Sequence, residues 1–577
     1  MADFQNPQQE PGSERRLLLV FVLTFVVILL FQPLLKKYGP QTPATPPQTQ
    51  PAKTPTSDSL SSSSSVADVN AVVVPPVIGT RQARSETETV IETDLYRVTF
   101  TNRGGQVKSW ILKKFNNEAQ NGPLDLVNPL AAAKYGYPLS LWTYDEALRN
   151  KLGSVLYVAS SEGTQGAPAD ITFEYSDPDL SVRKTFHFDR SYVLHLETAV
   201  TYKGASVAAL PAWPSGFGDQ TTPATYAASL IDYQYNGNIE RLALKKISSG
   251  ATIPGPLHWA GPTDQYFAAV FIPDDPASTS LVTLHNSIDN PQDAKRPFDV
   301  VGAAAGNLRG PTTERVFIGP KELSSLEAVP VPGITGTNPD LRGLVDFGWW
   351  GILARPLFLW LKWTYNHVVA NWGWAIVLQT LIIAVALLPL RVSQMKSMLK
   401  MQRVAPQIKS IQEKYKKYSL RDPRKAAMNE EISALYKKEG VNPAGGCLPL
   451  VIQMPFLFAY YRMLGTALDL RHAHWLWIHD LSARDPLFLL PIGMVISMLV
   501  TQRMTPQAGM DPAQQKMMTW MMPLMMGFIF FNLPAGLNLY YAESNLISIA
   551  QQAVMNRTTL GREMREMMEK RARKKEK

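Results

Sequence analysis

The chain has 577 residues, 45% of them hydrophobic, and a formal net charge of +9. Its length allows several domains, and its single cysteine excludes an intramolecular disulfide, so an exported domain must be stable through its own core. Because the basic excess lies beside apolar runs, it suits anionic lipid headgroups or ribosomal RNA better than a general nucleic-acid function.

The N-terminal region combines a membrane-length apolar run with a polar tether. Residues 17–35 are almost entirely apolar, and Lys36 and Lys37 stand where a small-residue cleavage site would be expected. The run satisfies the roughly 20 residues that a bilayer requires. Residues 1–37 therefore predict a short cytoplasmic tail and an uncleaved anchor, with a cleaved signal peptide as the alternative. Residues 38–80, rich in Pro, Gln, Thr and Ser, predict a disordered linker.

Period-two alternation of apolar and polar residues begins after the linker. Tyr96, Val98 and Phe100 alternate with polar residues, and the same pattern recurs at residues 192–197. This alternation is typical of half-buried antiparallel strands. Gly and Pro turns recur to about residue 332, so residues 81–343 predict one large all-β, sandwich-like domain.

The composition changes again near residue 344. Residues 344–371 combine four tryptophans with basic residues and predict an amphipathic helix in the headgroup region. Five apolar segments follow, four of them within residues 445–554, and with the first anchor they predict six membrane spans. The five segments are residues 372–390, 446–465, 486–500, 517–531 and 536–554.

Loop charge predicts the orientation. Residues 395–439 carry 12 Lys or Arg against 5 acidic residues, and residues 557–577 carry 9 against 4. The positive-inside rule places both segments in the cytoplasm. With six spans, both termini are then cytoplasmic, and the large β domain lies on the far side, which is the periplasm in a bacterium.

The cytoplasmic segment, residues 391–444, contains two basic helical stretches separated by a polar turn with a proline, which predicts an antiparallel helical hairpin. Two interpretations stay open: a charged loop that only fixes topology, or a docking surface for ribosome, targeting factor or lipid. The basic tail, residues 555–577, suits the same partners. The candidate docking residues are Lys409, Lys414, Lys416, Lys417, Arg421, Arg424 and Lys425.

Polar side chains within the predicted spans are the sharper functional signal, because a helix facing lipid on all sides could not carry so many. They indicate helix–helix contacts, a water-accessible groove or an ion path, and the number on the last span favours the groove. Since a lone charge in hydrocarbon is costly, we hypothesise that Arg462 pairs with Glu543. The candidate groove residues are Gln379, Thr380, Gln453, Arg462, Asn538, Tyr541, Glu543 and Asn545.

The sequence contains no recognisable catalytic motif. It has no Walker sequence, no nucleophile elbow and no His or Cys cluster with metal-ligand spacing. Five scattered polar residues could in principle assemble a carbohydrate site in the β domain, but such groups on strands are usually surface residues. They are His187, His195, Glu197, His258 and Asp264. We therefore expect no catalytic residue, no cofactor and no metal.

Four stretches of the second half carry a family resemblance. They are NPAGGCLPLVIQMPFLFAYYRML at residues 442–464, LWIHDLSARDP at 476–486, DPAQQKMMTWMMP at 511–523 and FNLPAGLNLYYAESNLISIAQQ at 531–552. In this order they resemble the YidC membrane protein insertase family, and the anchor with a large β domain resembles its Gram-negative form. The resemblance implies a β-supersandwich similar to sugar mutarotases. It also implies a chain that inserts and helps to fold inner-membrane proteins, alone or beside the Sec translocon, without hydrolysing ATP.

The resemblance also identifies individual positions. Thr380 and Tyr541 match client-contacting positions of the family's hydrophilic groove, and Gln453 lies in its IQMP motif. The family usually has a groove arginine four residues after that threonine, but this chain has Ala384 there.

Three side chains could replace the missing positive charge. Gln379 could act by hydrogen bonding alone, Arg462 from a neighbouring helix, and Arg391 from the cytoplasmic helix end. We expect Arg462 to be the substitute, and the competing explanation is that this protein needs no groove charge.

The resemblance implies a set of partners. They are nascent membrane proteins, the Sec translocon with its accessory subunits, ribosome and targeting factors at the hairpin and tail, and membrane lipids, with a monomer as the working unit. The main alternative is a transporter or channel that uses the intramembrane polar residues. Such a protein would need internal repeats or paired broken helices, and the sequence shows neither.

Overall fold

The structure, a computed structural model, describes residues 79–217, 229–289, 297–334, 340–415, 417–418, 422–440, 448–504, 512–559, 562 and 566. Within its helices, only the backbone is described at residues 395, 398, 399, 402, 425, 448–454, 512–518 and 556. The predicted anchor and nearly all of the predicted linker lie outside the described residues.

The first half of the described chain is built from β-strands, with three short helices, α1 (Pro129–Tyr135), α2 (Glu146–Ser154) and α3 (Leu323–Glu327). The strands are β1 (Glu88–Glu92), β2 (Tyr96–Thr101), β3 (Gln106–Asn116), β4 (Pro123–Asp125), β5 (Ser140–Trp142), β6 (Val158–Ala159), β7 (Gly163–Gly166), β8 (Ala169–Ser176), β9 (Leu180–Phe188), β10 (Val193–Tyr202), β11 (Ala205–Ser206), β12 (Leu210–Trp213), β13 (Leu230–Tyr235), β14 (Asn238–Ala243), β15 (Ala251–Pro254), β16 (Leu257–Thr263), β17 (Phe267–Pro273), β18 (Thr279–Ile288), β19 (Phe298–Asn307) and β20 (Thr312–Pro320).

These strands form a ten-stranded sheet and two five-stranded sheets in the described residues. The large sheet has the order β14-β13-β16-β17-β20-β10-β9-β8-β6, with β11 paired to β10. The smaller sheets have the orders β4-β3-β2-β1-β7 and β15-β18-β19-β12-β5. Nearly all neighbours are antiparallel, and the β1–β7 pair is parallel. The prediction of a large all-β domain is confirmed.

The alternation in the sequence accounts for the β core. In β2, Tyr96, Val98 and Phe100 are buried while Arg97 is exposed. The ring of Phe100 lies 4.9 Å from that of Phe186 on β9, centroid to centroid, so the first small sheet shares its core with the large one. The second small sheet packs on the other half of the large sheet through β18, β19 and β16.

The second half of the described chain is helical. Each of the five apolar segments singled out in the sequence contains a helix, and the basic hairpin contains most of one long helix and a second shorter one. The helices are α4 (Gly351–His367), α5 (Trp372–Ala386), α6 (Leu388–Lys414), α7 (Arg424–Lys438), α8 (Leu448–Thr466), α9 (Leu489–Met504), α10 (Pro512–Phe530) and α11 (Ala535–Arg557).

By length and apolar content, no single helix in the described ranges qualifies as a bilayer span. Helices α4 and α5 qualify only as a pair, with a 120° bend between them. The predicted count of six spans therefore stays a prediction.

One predicted boundary is corrected. The segment 372–390 was expected to be one helix, but α5 ends at Ala386 and α6 begins at Leu388. Pro389 explains the break, because it lies in the first turn of α6, where its missing N–H does no harm, and it could not continue α5. Helix α6 therefore begins in the predicted span and runs on into the basic hairpin.

The β domain meets α4, the end of α8 and the loop after α8 through oppositely charged side chains, which we call the junction. Arg471 Nη2 lies 3.2 Å from Glu118 Oε2. Lys362 Nζ lies 3.3 Å from Glu322 Oε1, and Arg462 Nη2 lies 2.9 Å from Asp346 Oδ2. The junction thus consists of Glu118 and Glu322 of the β domain, Asp346 of the segment that enters α4, and Lys362, Arg462 and Arg471 of the helical region.

Candidate functional site

Helices α5, α8 and α11 meet at a group of buried polar side chains. Gln379 is fully buried, and its Nε2 donates to the backbone oxygen of Leu357 at 3.0 Å. Its Oε1 accepts from the hydroxyl of Tyr460 at 2.6 Å. Thr380, also buried, donates to the oxygen of Ile376 one turn earlier at 2.7 Å. The two hydrogen bonds of Gln379 link α5 to α4 and α8, as polar side chains do between membrane helices.

Aromatic rings continue this arrangement onto α11. The rings of Tyr460 and Tyr540 are stacked at 4.1 Å between centroids, with 14° between their planes. Tyr541 packs edge-on against Phe530 of α10 at 4.8 Å. Glu543 lies beside Thr380. We call Gln379, Thr380, Tyr460, Tyr540, Tyr541 and Glu543 the polar cluster.

The α11 side of the polar cluster has unused hydrogen-bonding atoms. Glu543 Oε2, Asn545 Nδ2 and Gln551 Oε1 are inaccessible to solvent and have no hydrogen-bond partner among the described residues. All three side chains are only half-buried as a whole. Because an unsatisfied polar atom away from water is unfavourable, this surface is suited to a polar partner.

The hypothesis that Arg462 pairs with Glu543 is wrong. Arg462 donates to the carboxylate of Asp346 at 2.9 Å and to its backbone oxygen at 3.1 Å. It also lies against Gly348, where a Cβ would approach the guanidinium to 3.1 Å. Gly348 has φ = +61°, a conformation that favours glycine. Arg462 therefore belongs to the junction, because the α8 end that carries it lies against the chain that enters α4.

Asn538, another candidate groove residue, lies in the first turn of α11. It is fully buried, and its Nδ2 donates to the backbone oxygens of Phe530 at 3.1 Å and Leu533 at 3.4 Å. These oxygens belong to the end of α10 and the turn before α11. Asn538 thus closes a helix terminus, because the last carbonyls of a helix need donors from outside the helix.

The basic hairpin has a small core of its own. Val404 and Ile408 are buried against α7. Lys414 Nζ lies 2.7 Å from Glu431 Oε1, and this hydrogen bond holds the pKa of Glu431 below its usual value. Among the docking candidates, Lys409 pairs with Glu413, Arg424 pairs with Asp422 and Lys417 is exposed. The side chains of Lys416, Arg421 and Lys425 lie outside the described residues.

The side chain of Gln453, the groove candidate on α8, also lies outside the described residues.

Sequence reasoning missed Tyr460 and Gln551. Gln551 Nε2 donates to the backbone oxygen of Ala384 at 3.4 Å, which is the position where the family's arginine is absent. Gln551 continues the polar series of α11, so the sequence held a signal for it. The sequence held no such signal for Tyr460, because its neighbours in the chain do not indicate that its hydroxyl contacts Gln379.

Arg391, the third conceivable source of positive charge, lies in the first turn of α6. It is half-buried and lies within electrostatic range of the Tyr540 hydroxyl. Of the three substitutes, Gln379 is occupied inside the bundle and Arg462 at the junction. Arg391 is the remaining candidate of the three.

Two family models match this chain. The model described as 60Kd inner membrane protein matches residues 363–562, and the model described as YidC periplasmic domain matches residues 88–360. The helical and β parts of the chain are therefore each similar to a described family.

Individual relatives match along most of the chain. A protein of Syntrophus aciditrophicus named Membrane protein insertase YidC is 32% identical over 585 aligned positions, which cover 94% of this chain and 99% of the relative. A protein of the same name from Wolinella succinogenes is 34% identical over 79% of each chain. The solved structure described as an active YidC insertase with its first transmembrane domain resolved is 20% identical, with a TM-score of 0.34 over 83% of this chain and 94% of that one.

Proposed function

Because the chain belongs to the YidC membrane protein insertase family, we propose that it inserts proteins into the bacterial inner membrane through a hydrophilic groove that has the polar cluster as one wall. The observation that carries this proposal is the set of unpartnered polar atoms on α11, at Glu543, Asn545 and Gln551. A client's polar segment would find hydrogen-bond partners there part-way across the bilayer.

The physical advantage is a lower barrier. A polar segment that crosses hydrocarbon loses its hydrogen bonds to water, and each loss is expensive. A half-buried polar wall replaces some of those bonds during passage. The client's apolar helix can then leave sideways along exposed apolar residues such as Leu546 and Phe528, and burial of its own apolar surface in lipid drives the step.

Arg391 supplies the positive charge that Ala384 lacks. Its position beside Tyr540 supports this role, since an acidic client segment passing the aromatic stack would meet a half-buried guanidinium. This proposal replaces our expectation for Arg462, which is bound to Asp346.

The groove is tested by capture of clients. A photo-crosslinking amino acid at Tyr541 should capture a ribosome-stalled membrane protein, while the same probe at Trp363, an exposed aromatic residue of α4, should capture lipid or little. If stalled clients crosslink equally at both positions, or never at Tyr541, the groove is wrong even though the family assignment stands.

The charge is tested by insertion of a client with an acidic N-terminal segment. We expect Arg391→Ala to reduce insertion severalfold and Ala384→Arg in the same chain to restore it. The matched control is a client whose acidic residues are replaced by amides, which should be insensitive to Arg391→Ala. If Arg391→Ala inserts the acidic client as well as the wild type does, Arg391 does not supply a groove charge.

The topology and the partners complete the proposal. The chain spans the membrane six times, with both termini and the basic hairpin in the cytoplasm and the β domain in the periplasm, as its loop charges favour. The hairpin and tail receive ribosomes and targeting factors, and the Sec translocon assists with some clients. Reporter fusions at the C-terminus test the topology: a fused green fluorescent protein should fluoresce, and fused alkaline phosphatase should be inactive.

A further inference from the structure

A small group of metal-ligating side chains lies at the junction, away from the polar cluster. One ligand atom each from Glu118, His472 and Asp480 lies within 4.8 Å of the other two. Glu118 follows β3 of the β domain, whereas the other two lie in the loop between α8 and α9. The site therefore joins two parts of the chain that are distant in sequence, which is why no spacing motif announced it.

The loop backbone fixes His472 and Asp480 beside each other. Trp475 and Ile478 exchange backbone hydrogen bonds of 2.9 and 2.8 Å, and Leu481 N donates to the oxygen of Ala473 at 3.1 Å. This short hairpin brings residue 481 back beside residue 473, so that His472 and Asp480 lie close together. His472 itself has φ = +58°, an unusual conformation for a residue with a side chain.

His472 carries an unused ligand atom. Its side chain is 13% exposed, and its Nε2 is inaccessible to solvent without a hydrogen-bond partner among the described residues. A neutral imidazole offers such a nitrogen to a metal ion.

The two carboxylates are held by neighbours, as metal-binding carboxylates usually are. Arg471 Nη2 donates to Glu118 Oε2 at 3.2 Å, and Arg471 Nη1 donates to the backbone oxygen of Asn116 at 2.9 Å. Asp480 Oδ1 accepts from the backbone N and the hydroxyl of Ser482, both at 2.7 Å. These contacts orient both carboxylates toward His472.

We propose that Glu118, His472 and Asp480 bind one Zn²⁺ ion, which ties the β domain to the loop between α8 and α9. One imidazole and two carboxylates match the ligands that zinc accepts, with water in the fourth position. Zinc bonds of about 2.0–2.2 Å require the three ligand atoms to approach one another by roughly 1 Å, which side-chain rotation allows. The two carboxylates carry two negative charges, and the guanidinium of Arg471 cancels one of them. The affinity of the site for Zn²⁺ is therefore moderate.

Zinc titration of the full-length protein in detergent micelles, purified without a polyhistidine tag and stripped with EDTA, tests the site by calorimetry at pH 7.5. The wild type should bind one Zn²⁺ per chain. Both His472→Gln and Glu118→Gln should weaken this binding at least tenfold. The matched control is His479→Gln, an exposed histidine of the same loop, which should bind as the wild type does.

A second measurement separates a structural zinc from a surface histidine effect. Zinc should raise the thermal midpoint of the wild type and of His479→Gln, and should leave Glu118→Gln unchanged. Glu118 lies in a partly exposed turn, so its variant folds even if His472→Gln does not. The proposal is overturned if the wild type binds no zinc, or if His479→Gln abolishes binding while Glu118→Gln preserves it.

Discussion

The junction and the polar cluster both gather polar side chains at the helices, but they use them in opposite ways. At the junction, Arg462, Lys362 and Arg471 each contact an acidic residue of the β domain or of the segment that enters α4. In the polar cluster, Gln379 is satisfied internally while Glu543 retains an unpartnered oxygen among the described residues. The comparison teaches that polar residues near a membrane are better judged by their remaining hydrogen-bonding capacity than by their presence.

The largest effect is expected from breaking the junction at Arg471. Its side chain is 5% exposed and lies 5.7 and 5.6 Å from the ring centres of Tyr266 and Phe267. Arg471→Ala removes an ion pair and two cation–π contacts, so we expect a loss of about 3 kcal/mol in the free energy of unfolding. Thermal and denaturant unfolding of the full chain in detergent measures it.

The control for Arg471 is Arg183→Ala, which removes an arginine that is 68% exposed and lies 3.6 Å from Glu174. Exposed pairs of this kind contribute about 0–1 kcal/mol. Equal losses in the two variants would contradict the structural role of the junction.

A glycine at the start of α5 tests how closely the external loop packs on the helices. A Cβ at Gly373 would overlap the indole ring of Trp475, so Gly373→Ala should destabilise the protein by about 2 kcal/mol. Gly493→Ala in α9 is the matched control, because its Cβ would meet no atom within 4 Å. The control should be neutral or stabilising by up to about 1 kcal/mol, since alanine favours the helix. The difference between the two midpoints is the measurement.

Gln379 and Glu543 sharpen the comparison within the polar cluster. Gln379→Leu leaves the Tyr460 hydroxyl and the Leu357 oxygen without their partner, so we expect about 1–2 kcal/mol of destabilisation, with client crosslinking at Tyr541 retained. Glu543→Gln should leave the unfolding free energy unchanged and alter the yield of crosslinked client. The reverse outcome, a stable Gln379→Leu that loses clients, would make Gln379 the groove residue.

The smallest effect concerns acid. Burial favours the protonated form of Asp346, but Arg241, the Gly348 N–H and Arg462 outweigh it and lower the pKa of this carboxyl. A carboxyl with a lowered folded-state pKa stabilises the protein above its unfolded value of 3.8, and this stability is lost as the pH falls further. Because Asp346 is 40% exposed, the loss should be under about 1 kcal/mol. Unfolding at pH 6 and pH 3 should differ less in Asp346→Asn than in the wild type.

Much of the fold was predictable because its signals are local. The alternation of Tyr96, Val98 and Phe100 predicts the buried face of β2, and the apolar segments predict where helices occur. The exact break at Leu387 was missed because a proline two residues later permits either a kink or a new helix start.

The site was only partly predictable, because its contacts are long-range. The sequence identified Gln379, Thr380 and Glu543 as polar residues in apolar surroundings, but the partner of Arg462 lies 116 residues earlier in the chain. The hypothesis that Arg462 pairs with Glu543 rested on the cost of a lone charge in hydrocarbon, and that cost does not identify the partner. The segment that enters α4 brings Asp346 to Arg462 first, and no helical spacing contains that information.

Two ion pairs of the junction join the β domain to the helical region with the same polarity: Glu322 meets Lys362, and Glu118 meets Arg471. A β domain transplanted from a relative would therefore have to present acids at the positions of Glu118 and Glu322 to be accepted by these helices. A donor domain with lysines there would place like charges face to face. Charge complementarity at the junction thus decides which β domains and helical regions can form a chimeric insertase. Exchanging the acidic and basic residues across the junction together should allow two otherwise incompatible parts to assemble.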